Sequence, residues 1–205
     1  MKLTLREIAV HVGGKVIGDS ELTVSGVSEI QSSSPGTITF LGNPKYKKFL
    51  AETQADAVFV HDENHLVGKN GILVSNPQLA MAQTLGLFFP KVQYEASISE
   101  SAIIEDNVTI GEIVFIDAGV VVKAGVSIGN GSVIKANVVI DENTRLGNHC
   151  ILNPNVTIYP NCVIGDHVTI HSGTSIGCDG FGFITHDGFH EKIPQTGNVT
   201  IGNNV

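Results

Sequence analysis

From Ile98 onward an aliphatic residue returns at every sixth position: Ile98, Ile104, Ile110, Ile116, Val122, Ile128, Ile134, Ile140, Leu146, Leu152, Ile158, Ile164, Ile170 and Ile176. Two positions before most of them stands a small or β-branched residue: Ala102, Val108, Val114, Val120, Val126, Ser132, Val138, Thr144, Cys150, Val156, Cys162, Val168 and Thr174. Residues two apart on a strand point to the same side, so each unit of six sends one bulky and one small side chain inward and then turns. Gly111, Gly129, Gly147 and Gly165 recur at intervals of 18, or three hexads, which predicts a triangular coil of three short strands. Glycine at one corner implies either a positive φ or a close backbone approach. Coils stacked as parallel strands ~4.8 Å apart bury a continuous aliphatic column. The pattern predicts a parallel β-helix from Ala96 to about Cys178.

Residues 1–92 lack this period and read as a compact mixed α/β domain, with a boundary near Pro90–Tyr94. Thr4 and Glu7 have capping-box spacing ahead of a helical face of Leu5, Ile8, Ala9 and Val12, and Gly13-Gly14 end that helix. Asn43-Pro44 and Asn76-Pro77 each read as a helix cap followed by proline in the first turn. Ala57–Val60 and Gly71–Val74 are short apolar runs that suit buried strands. The domains are therefore 1–92 and 93–205. Within the second, the repeat breaks after Ile176 and resumes one residue out of frame at Ile201-Gly202, leaving a loop excursion at 178–198. That loop carries Phe181, Phe183 and Phe189 among several glycines, a composition that suits either contact with a substrate or packing against the coil wall or a neighbouring subunit.

Composition narrows the function classes. Hydrophobic residues make up 42% of the 205 and charged residues 16%, which fits a folded chain with a sizeable core. A formal charge of −8 argues against nucleic acid as a partner. Arg6 and Glu7 interrupt any signal-peptide core, and no window offers the ~18 apolar residues of a membrane span, so a cytoplasmic setting is expected. The three cysteines have no C-x-x-C spacing. Cys150 and Cys162 fall in the small inward slot, and only Cys178, opening the loop, is expected to reach solvent.

Hexapeptide repeats of this kind resemble those of the left-handed β-helix acyltransferases. The hand comes from that resemblance, because parallel crossovers are ordinarily right-handed. Three further stretches narrow the match: the first helix with Gly13-Gly14-Lys15-Val16, the run Ile38-Thr39-Phe40-Leu41-Gly42-Asn43-Pro44-Lys45-Tyr46, and the loop containing Cys178-Asp179-Gly180-Phe181-Gly182-Phe183 and Lys192-Ile193-Pro194-Gln195. In their order along the chain they are similar to the UDP-3-O-acylglucosamine N-acyltransferases of lipid A biosynthesis.

The resemblance implies a uridine-binding domain followed by a left-handed parallel β-helix, assembled as a homotrimer. It implies transfer of a 3-hydroxyacyl chain from acyl carrier protein to the 2-amino group of UDP-3-O-acylglucosamine, with the carrier thioester as donor and no cofactor or metal. By position, Phe40 and Tyr46 would hold the uracil ring between them and Asn43 would hydrogen-bond its edge. Aromatic faces stack on a flat base, and an amide can donate or accept. Asp179, Gly180, Lys192 and Gln195 would lie near the acceptor sugar in a cleft between subunits. Against these roles stand plainer ones: Asn43 as a helix cap, Phe40 and Tyr46 as core residues, and Lys45, Lys47 and Lys48 as a solvated helix face instead of phosphate ligands.

The family's catalytic base is a His on a coil past the Lys-Ile-Pro-Gln stretch, and none of the eight His here occupies that slot. The sequence stops at Val205 shortly after the repeat resumes, so the chain is expected to be a fragment with the base lying beyond it. His149 and His167, 18 apart, are expected to stack on adjacent coils at a corner or outward-facing position. With His171 they raise a metal-site reading of the β-helix carbonic anhydrase kind, but the spacing differs and stacked surface residues are the better account. His186 and His190 lie in the loop with no assigned role. Two other readings stay open: a sugar O-acyltransferase of a related pathway, disfavoured by the N-terminal 92 residues, and a nucleotide-sugar-binding or scaffolding fragment without transfer activity.

Overall fold

Thr4 starts the first helix as the spacing predicts. Its backbone N–H and hydroxyl donate to the Glu7 carboxylate at 2.7 and 2.9 Å, while the Glu7 N–H donates to the Thr4 hydroxyl at 3.2 Å. The computed structural model describes residues 1–66, 68–90 and 92–205, so Lys91 inside the predicted boundary lies outside the described residues. The chain separates into two units, Met1–Val92 and Gln93–Val205, each with its own core.

In the first unit β1 (Leu3–Thr4) leads into α1 (Leu5–Val12), which buries Leu5, Ile8 and Ala9 and ends on Gly13 at φ 65°. There follow β2 (Lys15–Ile17), β3 (Thr23–Val24), β4 (Gly26–Val27), β5 (Thr37–Phe40), β6 (Ala57–Val60), β7 (Asn70–Leu73) and α2 (Pro77–Phe88). A five-stranded sheet runs in the order β2-β7-β6-β5-β4, parallel except for the edge strand β2. The central β6 is buried on both faces, which is why it reads as an unbroken apolar run. The seventh strand begins at Asn70, one residue before the apolar run that announced it. On one face α1 and α2 pack Leu5, Ile8 and Ala80 against Ile38, Phe59 and Ile72. On the other, Leu41, Leu50, Val58, Val60 and Leu66 form a second core beneath two short 3₁₀ helices. The Asn43-Pro44 signal starts one of these, Pro44–Leu50, and no α-helix forms there.

Glu7 provides a pH handle on this unit. Its hydrogen bonds from the Thr4 backbone and then the Thr4 hydroxyl hold the carboxyl below the ordinary carboxylate range. A group with a depressed folded pKa adds stability above its unfolded value, ~4.3, and loses it as pH falls through the folded one. Protection factors of the first-turn amides of α1, amide exchange corrected for its intrinsic pH dependence, are expected to fall as pH drops below that range, and Glu7→Gln to flatten the response. An unchanged pH profile in Glu7→Gln would remove the carboxylate from the cap.

The second unit is a stack of two-residue strands in three five-stranded parallel sheets that pair residue i with residue i+18, as in Thr109↔Ser127 and Phe115↔Val133, except at the rung that follows the excursion, Val163↔Thr200. The aliphatic column is buried from Ile116 to Ile170, while Ile98 at the first coil is 50% exposed because nothing of the stack lies beneath it. Ser132 and Thr144, though polar, are fully buried in the small slot. Their hydroxyls donate to the carbonyls of Gly147 and Tyr159 at 3.0 and 3.1 Å, which satisfies turn acceptors the ladder leaves over.

Two separate requirements govern the corners. From Asn107 to Gly173 every sixth residue has a positive φ: Asn107, Ile113, Gly119, Gly125, Gly131, Asn137, Asn143, His149, Asn155, Asn161, His167 and Gly173. Asn and Gly dominate because they enter the left-handed region at little cost. The glycines at 111, 129, 147 and 165 are not in this class and answer to close approach. A Cβ on Gly129 would lie 2.4 Å from the Gly147 carbonyl carbon, and one on Gly111, Gly147 or Gly165 would meet the side chain of Asn130, Asp166 or Asn203 at 2.4–2.6 Å. Those side chains form a ladder up the same corner, with the Asn148 and Asp166 oxygens accepting from the N–H of Asn130 and Asn148. Ile113 is the outlier, a β-branched residue at φ 56° and 69% exposed. Ile113→Asn is expected to stabilise the unit by about 1 kcal/mol in denaturant unfolding, and a loss of stability would show that its side chain supports the corner.

The 178–198 excursion lies between a strand of one sheet, Ser175–Ile176, and Thr200–Ile201 of the next, which pairs with Val163–Ile164. Ile201 thus re-enters the inward column despite its shifted frame. Within the excursion Phe183–His186 and Phe189–Lys192 form an antiparallel hairpin around Asp187-Gly188, both at positive φ. Asp-Gly between two strands is a type I′ turn signal, legible in the sequence but outweighed there by the glycines around it.

Candidate functional site

The strands β4 and β5 run parallel and end side by side, and in open α/β sheets ligands bind beyond the carboxyl ends of strands. A cavity of about 490 Å³ lies there, lined by Glu29, Ile30 and Gln31 after β4, Phe40, Gly42 and Asn43 around the end of β5, Tyr46, and Gln78 from the start of α2. The structure therefore brings Phe40, Asn43 and Tyr46 to one wall. Phe40 is half-buried against the α1/α2 core and also faces the cavity, whereas Tyr46 is 43% exposed. Gly42 has to be glycine for Phe40 to keep its place, because a Cβ there would sit 2.9 Å from the Phe40 ring.

Asn43 caps the 3₁₀ helix, its Oδ1 accepting from the Lys45 N–H at 3.0 Å. Asn43 also lines the cavity, so its capping role does not remove it from that wall. The lysines are placed elsewhere. Lys48 lies over the Phe49 ring at 4.9 Å, Lys47 borders a separate hollow with Leu50, His65 and Lys69, and among the described residues no lysine lines the aromatic cavity. Sequence reading missed Glu29, Gln31 and Gln78. They carry no motif, and only the ends of β4, β5 and α2 converging in space put them together.

A second cluster lies at the base of the hairpin. Lys192 forms an ion pair with Asp179, and Gln195 Nε2 donates to the Ile193 carbonyl at 3.1 Å. The Ile193 N–H donates to Gly182, and Gln195 packs on the glycine backbone, where a Cβ on Gly180 would be 3.5 Å from its Oε1. Asp179, Gly180, Lys192 and Gln195 are thus gathered at one place. Phe181 and Phe189 are 97% and 78% exposed and do not pack on their own coil wall.

His149 and His167 stack with ring centroids 5.1 Å apart and planes at 12°, both at left-handed corners. Among the described residues no group of three or more His, Cys, Asp or Glu is placed to hold a metal ion. Burial pushes the Cys150 thiol above its ordinary range, and its Sγ donates to the Gly165 carbonyl at 3.1 Å. Cys162 is likewise buried and Cys178 exposed.

Comparison with known proteins meets this geometry at both ends. Residues 21–87, which include the whole cavity lining, match the family described as UDP-3-O-(3-hydroxymyristoyl) glucosamine N-acyltransferase, LpxD. The UDP-3-O-acylglucosamine N-acyltransferase of Marinomonas sp. (strain MWYL1) is 48% identical over 206 residues, covering 100% of this chain. Those of Geobacter sp. (strain M21) and Pseudomonas aeruginosa (strain LESB58) are 54% and 41% identical, again over 100% of it. Over its whole length the chain is similar in sequence to UDP-3-O-acylglucosamine N-acyltransferases. It spans 60%, 59% and 58% of the length of these three relatives. Residues 107–142 and 143–178 match the bacterial transferase hexapeptide repeat, and with its three stacked sheets the second unit is a left-handed parallel β-helix. Among the described residues no helix is long and apolar enough to cross a membrane.

Proposed function

We propose that this chain forms the nucleotide-sugar-binding part of an N-acyltransferase that moves a 3-hydroxyacyl group from acyl carrier protein to the 2-amino group of UDP-3-O-acylglucosamine in lipid A biosynthesis. The observation that carries this reading is the aromatic cavity of Phe40, Asn43 and Tyr46, inside a stretch that matches the family by sequence. Phe40 and Tyr46 take the uracil between them. Asp179, Gly180, Lys192 and Gln195 meet the acceptor sugar.

The amine must lose a proton as it attacks the thioester, and the oxyanion needs donors. None of the eight His is assigned as that base. The carrier thioester supplies the acyl group, and the reaction uses no further cofactor. A cytoplasmic setting and a homotrimer complete the proposal, the second consistent with hairpin phenylalanines that their own coil leaves uncovered. Calorimetric titration with UDP-glucosamine tests the nucleotide assignment. Saturable binding is expected, and its absence would sink the reading.

A further inference from the structure

Two asparagines of this chain precede glycine, Asn70 in the first unit and Asn130 in the second. Asn-Gly is the dipeptide most open to deamidation, because a glycine leaves its own backbone nitrogen unshielded. That nitrogen attacks the asparagine Cγ and closes a cyclic imide, while its proton and the side-chain nitrogen depart as ammonia. Water then opens the ring. Addition at Cγ gives aspartate. Addition at the backbone carbonyl carbon gives isoaspartate, whose chain runs through Cβ and Cγ and is one methylene longer. The rate therefore depends on what holds the two reacting groups in place.

At Asn130-Gly131 a single residue of the adjacent coil holds both. The Glu112 N–H donates to Asn130 Oδ1 at 2.8 Å, and the Glu112 carbonyl accepts from the Gly131 N–H at 2.8 Å. While these bonds stand, the amide cannot swing toward the nitrogen and the nitrogen cannot give up its proton. The same corner carries the strain of the stack. Glu112 is followed by Ile113, the β-branched residue at φ 56°, and is preceded by Thr109–Ile110, the end strand of its sheet, paired on one side only. A strained residue beside a singly paired strand favours local opening. Asn70-Gly71 has no such weak point, since Gly71 is buried in β7 between β2 and β6.

We propose that Asn130 is a latent deamidation site, closed while the Glu112–Ile113 corner is seated and reactive each time that corner opens. The two products act differently on the fold. Aspartate keeps the Oδ1 acceptor, and Asp166 already fills the same column, accepting from the Asn148 N–H at 2.7 Å. Isoaspartate lengthens a coil whose pairing holds a spacing of 18 residues on either side, as in Thr109↔Ser127 and Ser127↔Arg145, and so keeps the corner from closing again. An opening that would otherwise reverse becomes permanent.

The full chain is incubated at mildly alkaline pH, folded and in a range of urea concentrations. Peptide mass spectrometry follows conversion at Asn70 and Asn130, and an isoaspartyl methyltransferase assay counts the isomer. Conversion at Asn130 is expected to be at least about tenfold slower in the folded than in the unfolded chain. Below the unfolding transition it is expected to vary little with urea, because opening one corner exposes little surface. Ile113→Asn, which removes the strain, is expected to slow Asn130 by about fivefold and to leave Asn70 unchanged.

Equal rates at Asn130 in the folded and unfolded chain would overturn the inference, because nothing would then be clasped. A steep dependence on urea below the transition would make global unfolding the gate and overturn it as well. So would an Ile113→Asn chain that converts Asn130 as fast as the wild type does.

Discussion

Gly129→Ala is expected to lower the unfolding free energy by about 3 kcal/mol, the upper end of the range for overpacking a close-packed interior. The added Cβ would fall 2.4 and 2.5 Å from the carbon and oxygen of Gly147 and 2.6 Å from the Asn148 nitrogen. All three are backbone atoms of the next coil, so no rotamer change relieves the contact. Relief requires the two coils to separate at that corner, which stretches the Gly129 N–H to Leu146 carbonyl bond, now 2.8 Å. Asn137→Gly supplies the contrast. It sits in the left-handed slot at φ 59°, where glycine is equally at home, and the change is expected to stay within about 0.5 kcal/mol. Urea unfolding followed by circular dichroism reads both. Equal losses in the two variants would mean that the 18-residue glycine period marks a turn conformation and not a close approach.

Phe40→Ala is expected to weaken uridine diphosphate binding by about 10- to 100-fold, the equivalent of the ~1–3 kcal/mol that one aromatic contributes by stacking on a base. Because Phe40 also packs against the α1/α2 core, part of any loss could come from the fold, and Tyr46→Ala separates the two. Tyr46 is 43% exposed, so its removal should leave the melting temperature nearly unchanged while reducing affinity by a similar factor. Wild-type affinity in Tyr46→Ala at full stability would take the ring out of the site and leave the base stacked on one face only.

Much of the fold was legible because its signals are periodic or local. An inward aliphatic every six residues with a small partner two before it implies strands and turns at fixed places, and the sheets pair Ile116 with Ile134 and Ile134 with Leu152 accordingly. The Thr4/Glu7 box needs only residues three apart. Resemblance to the family selected Phe40, Asn43 and Tyr46, and they meet at one cavity.

Other features were decided only by tertiary structure. Glu29, Gln31 and Gln78 enter the site because β4, β5 and α2 end together, a convergence of segments up to 49 residues apart in sequence, from Glu29 to Gln78. Whether the glycines at 111, 129, 147 and 165 served a turn or a close approach could not be settled along one coil, because the atoms they would strike belong to the coil above. The place of Asn43 is of the same kind. Its residue type allowed a cap or a ligand contact, and only the folded chain shows a cap that also lines the cavity. Periodicity and capping are interactions between near neighbours, so sequence by itself determines them. Steric fit between coils and the composition of a cavity wall depend on distances between residues that only the folded chain brings together.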